Sequence, residues 1–372
     1  MLYLDHNAAT PLDERVREAM EPFLGRFYGN PSSLYRLGRL SRDAVEAARE
    51  QVAALAGAIP SQVIFTSGGT EANNLALKGL AHALRGRTVA VGAGEHPSVL
   101  EPIRALAGDG VARHVIGVAA DGKTDRACLA ALPADTALVS LMWANNETGV
   151  IQDIPALMPA LRDQGLWLHS DGVQAAGKIP LDFAASGLHM LSLSSHKIYG
   201  PKGAGALVAD RALPLQPLLY GGGQERDLRS GTENVPAIVG FGKAAELARR
   251  EMEERARHAL QLRQSLEAAL GAMPDVTVFA AGSPRLPNTV QFSVAGMDGE
   301  ALVMALDRQG VAVSSGSACA GGAAEPSHVL LSMGVEPDTA RGAVRVSFGA
   351  GNGADDVERF IAALKKARTA YI

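Results

Sequence analysis

The strongest constraint on the fold is a repeated alternation between short apolar segments and longer segments with helical periodicity. Helices are predicted over residues 13–23, 41–55, 71–84 and 233–270. Apolar or β-branched runs between them predict strands at 62–65, 87–91, 137–141, 166–168, 189–193 and 205–208. Strands that alternate with helices pair mostly in parallel, so the sequence predicts an α/β fold with a mostly parallel central sheet.

After the long predicted helix the pattern starts again, on a smaller scale. Strands are expected at 276–279 and 289–293, and helices at 299–308 and 354–370. A chain of 372 residues with 47% hydrophobic and only 5% aromatic content is long enough for two interleaved domains with a sizeable buried core. We therefore expect a large domain and a smaller α/β domain.

Charge and composition exclude several classes of partner. The formal charge of −4 comes from 35 basic and 39 acidic residues, without a dense Lys/Arg block. Such a surface offers no electrostatic platform for nucleic acid or an anionic membrane. The first residues lack the features of a secretory signal, and no apolar run approaches the roughly 18 residues of a membrane span. We predict a cytoplasmic protein with no direct nucleic-acid or membrane partner.

One lysine and one carboxylate occupy favourable places for chemistry. Lys197 stands between the predicted strand 189–193 and the glycine-rich turn 200–203, and Asp171 follows the predicted strand 166–168. Strand ends are where α/β sheets place ligands. Pyridoxal phosphate (PLP) chemistry needs one amine for a Schiff base and one carboxylate to keep the ring nitrogen protonated. Lys197 and Asp171 meet both needs, although Asp171 would also serve as a helix N-cap.

A glycine-rich turn at 67–70 precedes the predicted helix 71–84. Free backbone N–H groups and the helix dipole at such a place bind phosphate, and the same tetrapeptide also suits an ordinary helix cap. Arg345, in the alternating run 343–348, carries a planar guanidinium that can bind a carboxylate bidentately. An exposed strand arginine is the other interpretation, and Arg341 is a second candidate nearby.

The two cysteines, Cys128 and Cys319, are far apart and show no CxxC spacing, so neither a metal site nor a disulfide is expected. Cys128 lies in a helix-like apolar stretch and is predicted to be a small buried hydrophobe. Cys319 is surrounded by small residues that offer little side-chain area to bury, which makes it a candidate reactive thiol. The sequence His169-Ser170-Asp171 is not a hydrolytic triad, because adjacent strand residues point to opposite faces.

Short motifs in a fixed order carry a family resemblance from residue 3 to residue 347. They are GNPSS (29–33), FTSGGTE (65–71), EHP (95–97), NNETG (145–149), DGVQ (171–174), SSHKIYGPKG (194–203), RSGTEN (229–234), SSGSAC (314–319) and EPSH (325–328). With these motifs the chain resembles the cysteine desulfurases of the NifS/IscS type, which are fold-type I PLP enzymes of the class-V aminotransferase family.

The resemblance implies an architecture and a set of site residues. It implies a large PLP-binding domain over 15–250 and a small domain made of 1–14 and 251–372, which carries the loop of the catalytic cysteine. The catalytic residues implied are Lys197, Cys319 and His96, which stacks on PLP. The residues implied to bind PLP are Gly69, Thr70, Ser194 and His196 at the phosphate, Asp171 at the ring nitrogen, Gln174 at the phenolic oxygen, and Asn146. Thr232 is implied to reach the phosphate of a neighbouring subunit, which means a homodimer, and Arg345 with Asn146 is implied to bind the substrate.

The implied reaction converts L-cysteine to L-alanine and leaves the sulfur as a persulfide on Cys319. The sulfur would pass to an acceptor protein, such as an iron–sulfur scaffold, and the sequence leaves the acceptor open. Selenocysteine lyase activity would use a nearly identical site, whereas an aminotransferase would not need Cys319. A non-catalytic scaffold is disfavoured because Lys197 and Asp171 are both present.

Overall fold

A computed structural model of the chain describes residues 1–315 and 325–369. The strands are β1 (Leu2–Tyr3), β2 (Val63–Thr66), β3 (Thr88–Gly92), β4 (Ala112–Ile116), β5 (Thr136–Ser140), β6 (Trp167–Asp171), β7 (Met190–Ser194), β8 (Gly205–Ala209), β9 (Val276–Val278), β10 (Thr289–Val294), β11 (Val311–Ala312), β12 (Ser314–Ser315) and β13 (Ala343–Ser347). The helices are α1 (Glu14–Gly25), α2 (Arg36–Ala56), α3 (Gly69–Lys78), α4 (Ala81–Leu84), α5 (Pro97–Leu106), α6 (Arg126–Ala130), α7 (Ile154–Arg162), α8 (Val235–Gly271), α9 (Gly299–Asp307), α10 (His328–Ser332), α11 (Pro337–Arg341) and α12 (Ala354–Thr369).

The large sheet has seven strands within the described part of the chain, in the order β2-β8-β7-β6-β5-β3-β4. Only β8 runs antiparallel to its neighbours, β2 and β7, and the other pairings in this sheet are parallel. Buried side chains on both faces explain the nearly continuous apolar strands, since helices cover both sides of a parallel sheet. The predicted α/β fold with a mostly parallel sheet is confirmed.

A smaller antiparallel sheet, β12-β13-β10-β9, forms around a separate hydrophobic core. The first strand, β1, pairs in parallel with β11, and Leu2 and Leu4 are buried in this second core. The N-terminal segment thus packs with the C-terminal third of the chain. This arrangement supports the domain boundaries proposed from the sequence, which remain a prediction.

The 37-residue helix α8 packs in both cores. Its first half contributes Phe241 and Leu247 to the core of the large sheet, and its second half contributes Leu262 and Leu266 to the core of the small sheet. The side chain of Asn234 accepts a hydrogen bond from Ala237 N at 3.3 Å and caps the helix. One continuous helix therefore contributes side chains to both cores.

Several boundaries differ from the prediction. Helix α2 begins at Arg36 rather than at residue 41, and the single helix predicted at 71–84 is divided into α3 and α4. The division falls at Gly79, where an added Cβ would lie 3.0 Å from the carbonyl oxygen of Gln216. Helices α5 and α7 had no clear signal in the sequence, because each is short and each contains prolines.

Within residues 1–315 and 325–369, no helix combines the length and the apolar character needed to cross a membrane. In the same residues, no three His, Cys, Asp or Glu side chains are grouped so that they could bind a metal ion.

Candidate active site

A cavity of about 320 Å³ lies at the ends of the central strands of the large sheet. Asp171 is the last residue of β6, Ser194 is the last residue of the adjacent strand β7, and Lys197 follows in a short 3₁₀ turn. The predicted site residues that line the cavity are Gly69, Thr70, His96, Asn146, Asp171, Gln174, Ser194, His196, Lys197 and Arg345. The volume is within the range of roughly 300–1,000 Å³ that is usual for small-molecule sites.

One end of the cavity suits a phosphate group. Helix α3 begins there with Gly69 and Thr70, and the first N–H groups of a helix have no partner within it. A Cβ at Gly69 would lie 2.8 Å from a methyl group of Val173, so this close approach requires glycine. Ser194 Oγ lies 2.9 Å from His196 Nδ1. Burial, with smaller contributions from the positive charges of Lys197 and Lys202, lowers the pKa of His196 to about 4.

Asp171 is buried, with 7% of its surface exposed, and both carboxylate oxygens accept hydrogen bonds. Val173 N donates to Oδ1 at 2.9 Å, and Asn73 Nδ2 donates to Oδ2 at 2.7 Å. The residues after Asp171 form turns rather than a helix, so the N-cap interpretation does not hold. A carboxylate held in this way is an acceptor of fixed orientation at the cavity wall, which suits the protonated nitrogen of a pyridine ring.

Lys197 Nζ donates to the backbone oxygens of Asn7 at 2.6 Å and Ala8 at 2.8 Å. Asn7 O also accepts a hydrogen bond from Gln174 Nε2 at 2.9 Å. Lys178 Nζ donates to Gln174 Oε1 at 2.7 Å, and this bond determines the orientation of the Gln174 amide. Burial lowers the pKa of Lys178 well below its usual value, and the charges of Lys197 and Arg345 lower it further. The N-terminal segment thus touches the predicted Schiff-base lysine directly.

Arg345 lies in the middle of β13, opposite Gln291 of β10. Its Nη2 forms an ion pair with Asp5 Oδ1 at 2.7 Å, and its Nη1 donates to Asn146 O at 3.0 Å. Its Nε is buried and has no hydrogen-bond partner among the described residues. Since a buried guanidinium N–H without a partner is costly, this edge of Arg345 is suited to a carboxylate ligand.

His96 has extended backbone angles, and its side chain caps α5 by accepting a hydrogen bond from Ser98 N at 3.1 Å. Burial lowers the pKa of His96. The preceding residue, Glu95, is 1% exposed, and burial together with the charge of Asp171 raises its pKa well above the usual value. His328 Nε2 lies 2.9 Å from Glu95 O and links α10 to this wall of the cavity.

Some predicted residues lie elsewhere. Thr232 is exposed and is not among the residues that line the cavity, and Cys319 lies outside the described residues. Arg341 pairs with Asp338 at 2.8 Å, away from the cavity wall. Cys128 is half-buried in α6 and packs against the core of the large sheet, with its Sγ 3.4 Å from Asp125 Oδ2.

No role was predicted from the sequence for several residues that line the cavity, among them Asp5, Asn7, Asn73 and Ser98. Asp5 lies near the start of the segment that carries the family resemblance. Asn73 is the one polar side chain among the buried residues of α3, which are otherwise Gly69, Ala72, Leu75, Ala76 and Leu77. A buried amide on an otherwise apolar helix face indicates a hydrogen-bonding role. Ser98 has no comparable signal, because serine is common near helix starts.

The structure combines a mostly parallel sheet with a lysine and a carboxylate at adjacent strand ends, and both lie beside a helix N-terminus. This is the organisation of a fold-type I PLP-dependent transferase. The family model "Aminotransferase class-V" matches residues 2–360. A cysteine desulfurase IscS of Dictyoglomus turgidum is 43% identical over 352 residues, covering 94% of this chain and 89% of the relative. An IscS-like cysteine desulfurase of Mycobacterium tuberculosis is 44% identical over 361 residues, covering 94% and 91%.

Solved structures agree with these relatives. A NifS-like protein superposes with a TM-score of 0.93 at 35% identity and covers 100% of both chains. A structure described as SspA in complex with cysteine has a TM-score of 0.84 at 31% identity, covering 94% of this chain and 99% of that one. The chain belongs to the class-V aminotransferase family and, within it, to the cysteine desulfurases. The resemblance, the fold class and the PLP-dependent enzyme class predicted from the sequence are thereby confirmed.

Proposed function

We propose that this protein is a PLP-dependent cysteine desulfurase that converts L-cysteine to L-alanine and retains the sulfur on Cys319. The observation that carries the proposal is the shared cavity of Lys197, Asp171 and Arg345. These are the amine, the carboxylate and the cation that the cofactor and an amino-acid substrate require. A hydride-transferring site would not need this combination.

The residues at the cavity wall fit PLP. Gly69, Thr70, Ser194 and His196 would hold its phosphate, Asp171 would hold the proton of its ring nitrogen, and Gln174 would donate from Nε2 to its phenolic oxygen. When bound, PLP supplies an electron sink for the negative charge that develops at the substrate Cα. Lys197 lines the cavity and is the amine placed to take and return the Cα proton.

Arg345 would bind the substrate carboxylate along the edge that includes its unpartnered Nε. Asn146, whose backbone oxygen already accepts from Arg345, would complete that subsite. A carboxylate held bidentately determines which bond of Cα stands perpendicular to the cofactor ring. In this way Arg345 would select proton removal at Cα.

In the sulfur-transfer step, the thiolate of Cys319 attacks the substrate sulfur. The new sulfur–sulfur bond forms as the bond between sulfur and the substrate Cβ breaks, and the electron pair of that bond passes to the carbon skeleton. Protonation of the skeleton then gives alanine, and the persulfide remains on Cys319. The low side-chain volume around Cys319 in the sequence supports access to that thiol.

We further propose a cytoplasmic homodimer in which Thr232 completes the phosphate site of the partner subunit. The exposed position of Thr232, outside its own chain's cavity, supports this assignment. An acceptor protein, such as an iron–sulfur scaffold, would receive the sulfur.

The test compares Cys319→Ser with Cys128→Ser, because these are the two cysteines of the sequence. Cys319→Ser is expected to keep the visible absorbance of bound PLP and to lose alanine release from L-cysteine. Cys128→Ser is expected to retain both, since the Cys128 thiol lies in α6 away from the cavity. Mass spectrometry should find the added sulfur on the peptide of Cys319. Cysteine turnover that persists in Cys319→Ser would instead favour an aminotransferase or a lyase that does not use this thiol.

A further inference from the structure

Asn73 contacts two groups of the site at once. It is 1% exposed on α3, and its Nδ2 lies 2.7 Å from Asp171 Oδ2 and 2.8 Å from Ser98 Oγ. A carboxylate only accepts hydrogen bonds, so the group facing Asp171 must be the NH₂ of the amide. Asn73 Oδ1 is buried without a partner among the described residues, which agrees with an orientation determined by Nδ2. Both hydrogens of the NH₂ group are therefore used.

Ser98 continues the chain of hydrogen bonds to His96. Ser98 Oγ lies 2.7 Å from His96 Nδ1, and Ser98 N lies 3.1 Å from the same atom. A backbone N–H can only donate, so His96 Nδ1 must be an acceptor that carries no proton. Ser98 Oγ accepts a hydrogen bond from Asn73 Nδ2. Because His96 Nδ1 carries no proton, the hydroxyl of Ser98 must donate its own hydrogen to that nitrogen.

The ring proton of His96 then has one remaining position. Burial lowers the pKa of His96 and keeps the ring neutral at pH 7. Three nearby charged or titratable groups also act on the ring: Asp171 raises the pKa of His96, whereas Lys197 and His328 lower it. A neutral ring whose Nδ1 accepts must carry its proton on Nε2.

We propose that Asn73 and Ser98 are positioning residues that connect Asp171 to His96 and hold His96 as the neutral ring protonated on Nε2. The role of this network in catalysis rests on the proposed function, whereas the protonation state of His96 does not. A ring in this state donates a hydrogen bond from Nε2 and accepts no proton there, so proton removal at Cα falls to Lys197. The same chain of hydrogen bonds orients the Asp171 carboxylate toward its ligand, so one network serves two groups of the site.

The first experiment measures the tautomer directly. Two-bond proton–nitrogen correlation spectra of the full-length apoprotein and holoprotein, labelled with ¹⁵N-histidine, are recorded at pH 7, and His96→Gln identifies the signals. We expect the Nε2–H pattern for His96. An Nδ1–H pattern, or a doubly protonated ring, would overturn the proposal. Because the apoprotein spectrum needs neither PLP nor turnover, its result is independent of the proposed function.

The second experiment tests the coupling to Asp171. In the holoenzyme, Asn73→Leu removes the donor to Asp171 and is expected to shift the pH profile of PLP absorbance. We also expect kcat to fall about tenfold, as for loss of a hydrogen bond to a charged group, while KM for cysteine stays within about twofold. Asn74→Leu is the matched control, because the Asn74 side chain bonds only to Thr70 O of its own helix, at 2.9 Å, among the contacts described.

Ser98→Ala removes the hydroxyl between Asn73 and His96 and should shift the absorbance profile in the same direction as Asn73→Leu. The double variant should add little to the larger single effect, because members of one hydrogen-bonded chain are energetically coupled. Additive effects of the two substitutions would contradict a single network. So would an Asn73→Leu absorbance profile identical to that of Asn74→Leu.

Discussion

The two walls of the cavity are built in different ways. The sheet wall, made of Gly69, Asp171, Ser194 and Lys197, comes from the ends of neighbouring strands and from the helix start after β2. The N-terminal wall, made of Asp5, Asn7 and Arg345, is held together by contacts between opposite ends of the chain. Asp5 and Arg345 pair across 340 residues, and Asn7 N donates to Ser347 Oγ across the same separation.

This difference separates two kinds of function. The sheet wall holds groups whose positions follow from strand ends, which suits a cofactor that stays bound. The N-terminal wall joins the small sheet to the cavity, and its cation Arg345 already has a carboxylate neighbour in Asp5. We therefore expect substitutions in the sheet wall to affect cofactor chemistry, and substitutions in the N-terminal wall to affect substrate binding.

The largest effect is expected in the sheet wall. Lys197→Ala removes the amine that takes the Cα proton, so cysteine turnover should fall by roughly 10⁴-fold, the upper end of what a positioned acid or base supplies. The visible absorbance of the Schiff base should also disappear. Lys202→Ala, an exposed lysine in the turn that follows, is the control and should retain both. Turnover of Lys197→Ala within tenfold of the wild type would remove Lys197 from the mechanism.

A smaller effect is expected in the N-terminal wall. Arg345→Gln should raise KM for L-cysteine by about 10- to 100-fold, because a hydrogen bond to a charged group contributes about 1.5–3 kcal/mol. PLP absorbance should not change. Arg341→Gln, on α11 and away from the cavity wall, should leave KM unchanged. If Arg345→Gln lost PLP instead, the two walls would not divide the functions as proposed.

The smallest effect is expected in the titration of His196, whose Nδ1 lies 2.9 Å from Oγ of Ser194 in the sheet wall. The pKa of His196 is lowered to about 4 by burial, so the apoprotein ring is neutral above that pH and gains its proton only as the pH falls through about 4. A bound phosphate favours the charged ring, so PLP should raise this pKa.

His169 is the control, since burial lowers its pKa to about 3 and its partners are the hydroxyls of Ser140 and Ser192. Its titration should not change with PLP. Histidine NMR titrations of the apoprotein and holoprotein measure both rings. Equal shifts of His196 and His169 would indicate a general change in the protein rather than a phosphate beside His196.

The sheet wall was largely predictable from sequence, whereas the N-terminal wall was not. Lys197 and Asp171 follow apolar strands that are recognisable one by one, and a parallel sheet places neighbouring strand ends together. Arg345 was predicted as a carboxylate-binding residue, but its pairing with Asp5 was not. Asn7, which contacts Lys197 and Gln174 through its backbone oxygen, has no local signal for that role.

The sequence by itself determined the alternation of strands and helices, the glycine-rich start of α3, and the residue types needed for PLP chemistry, because these depend on local periodicity and side-chain chemistry. Tertiary structure alone decided which amides and carboxylates meet. Asn73 reaches Asp171 only because α3 packs over the end of β6, and Asp5 reaches Arg345 only because β1 pairs with β11. Contacts of this kind depend on how distant segments pack, and local sequence patterns do not encode that packing.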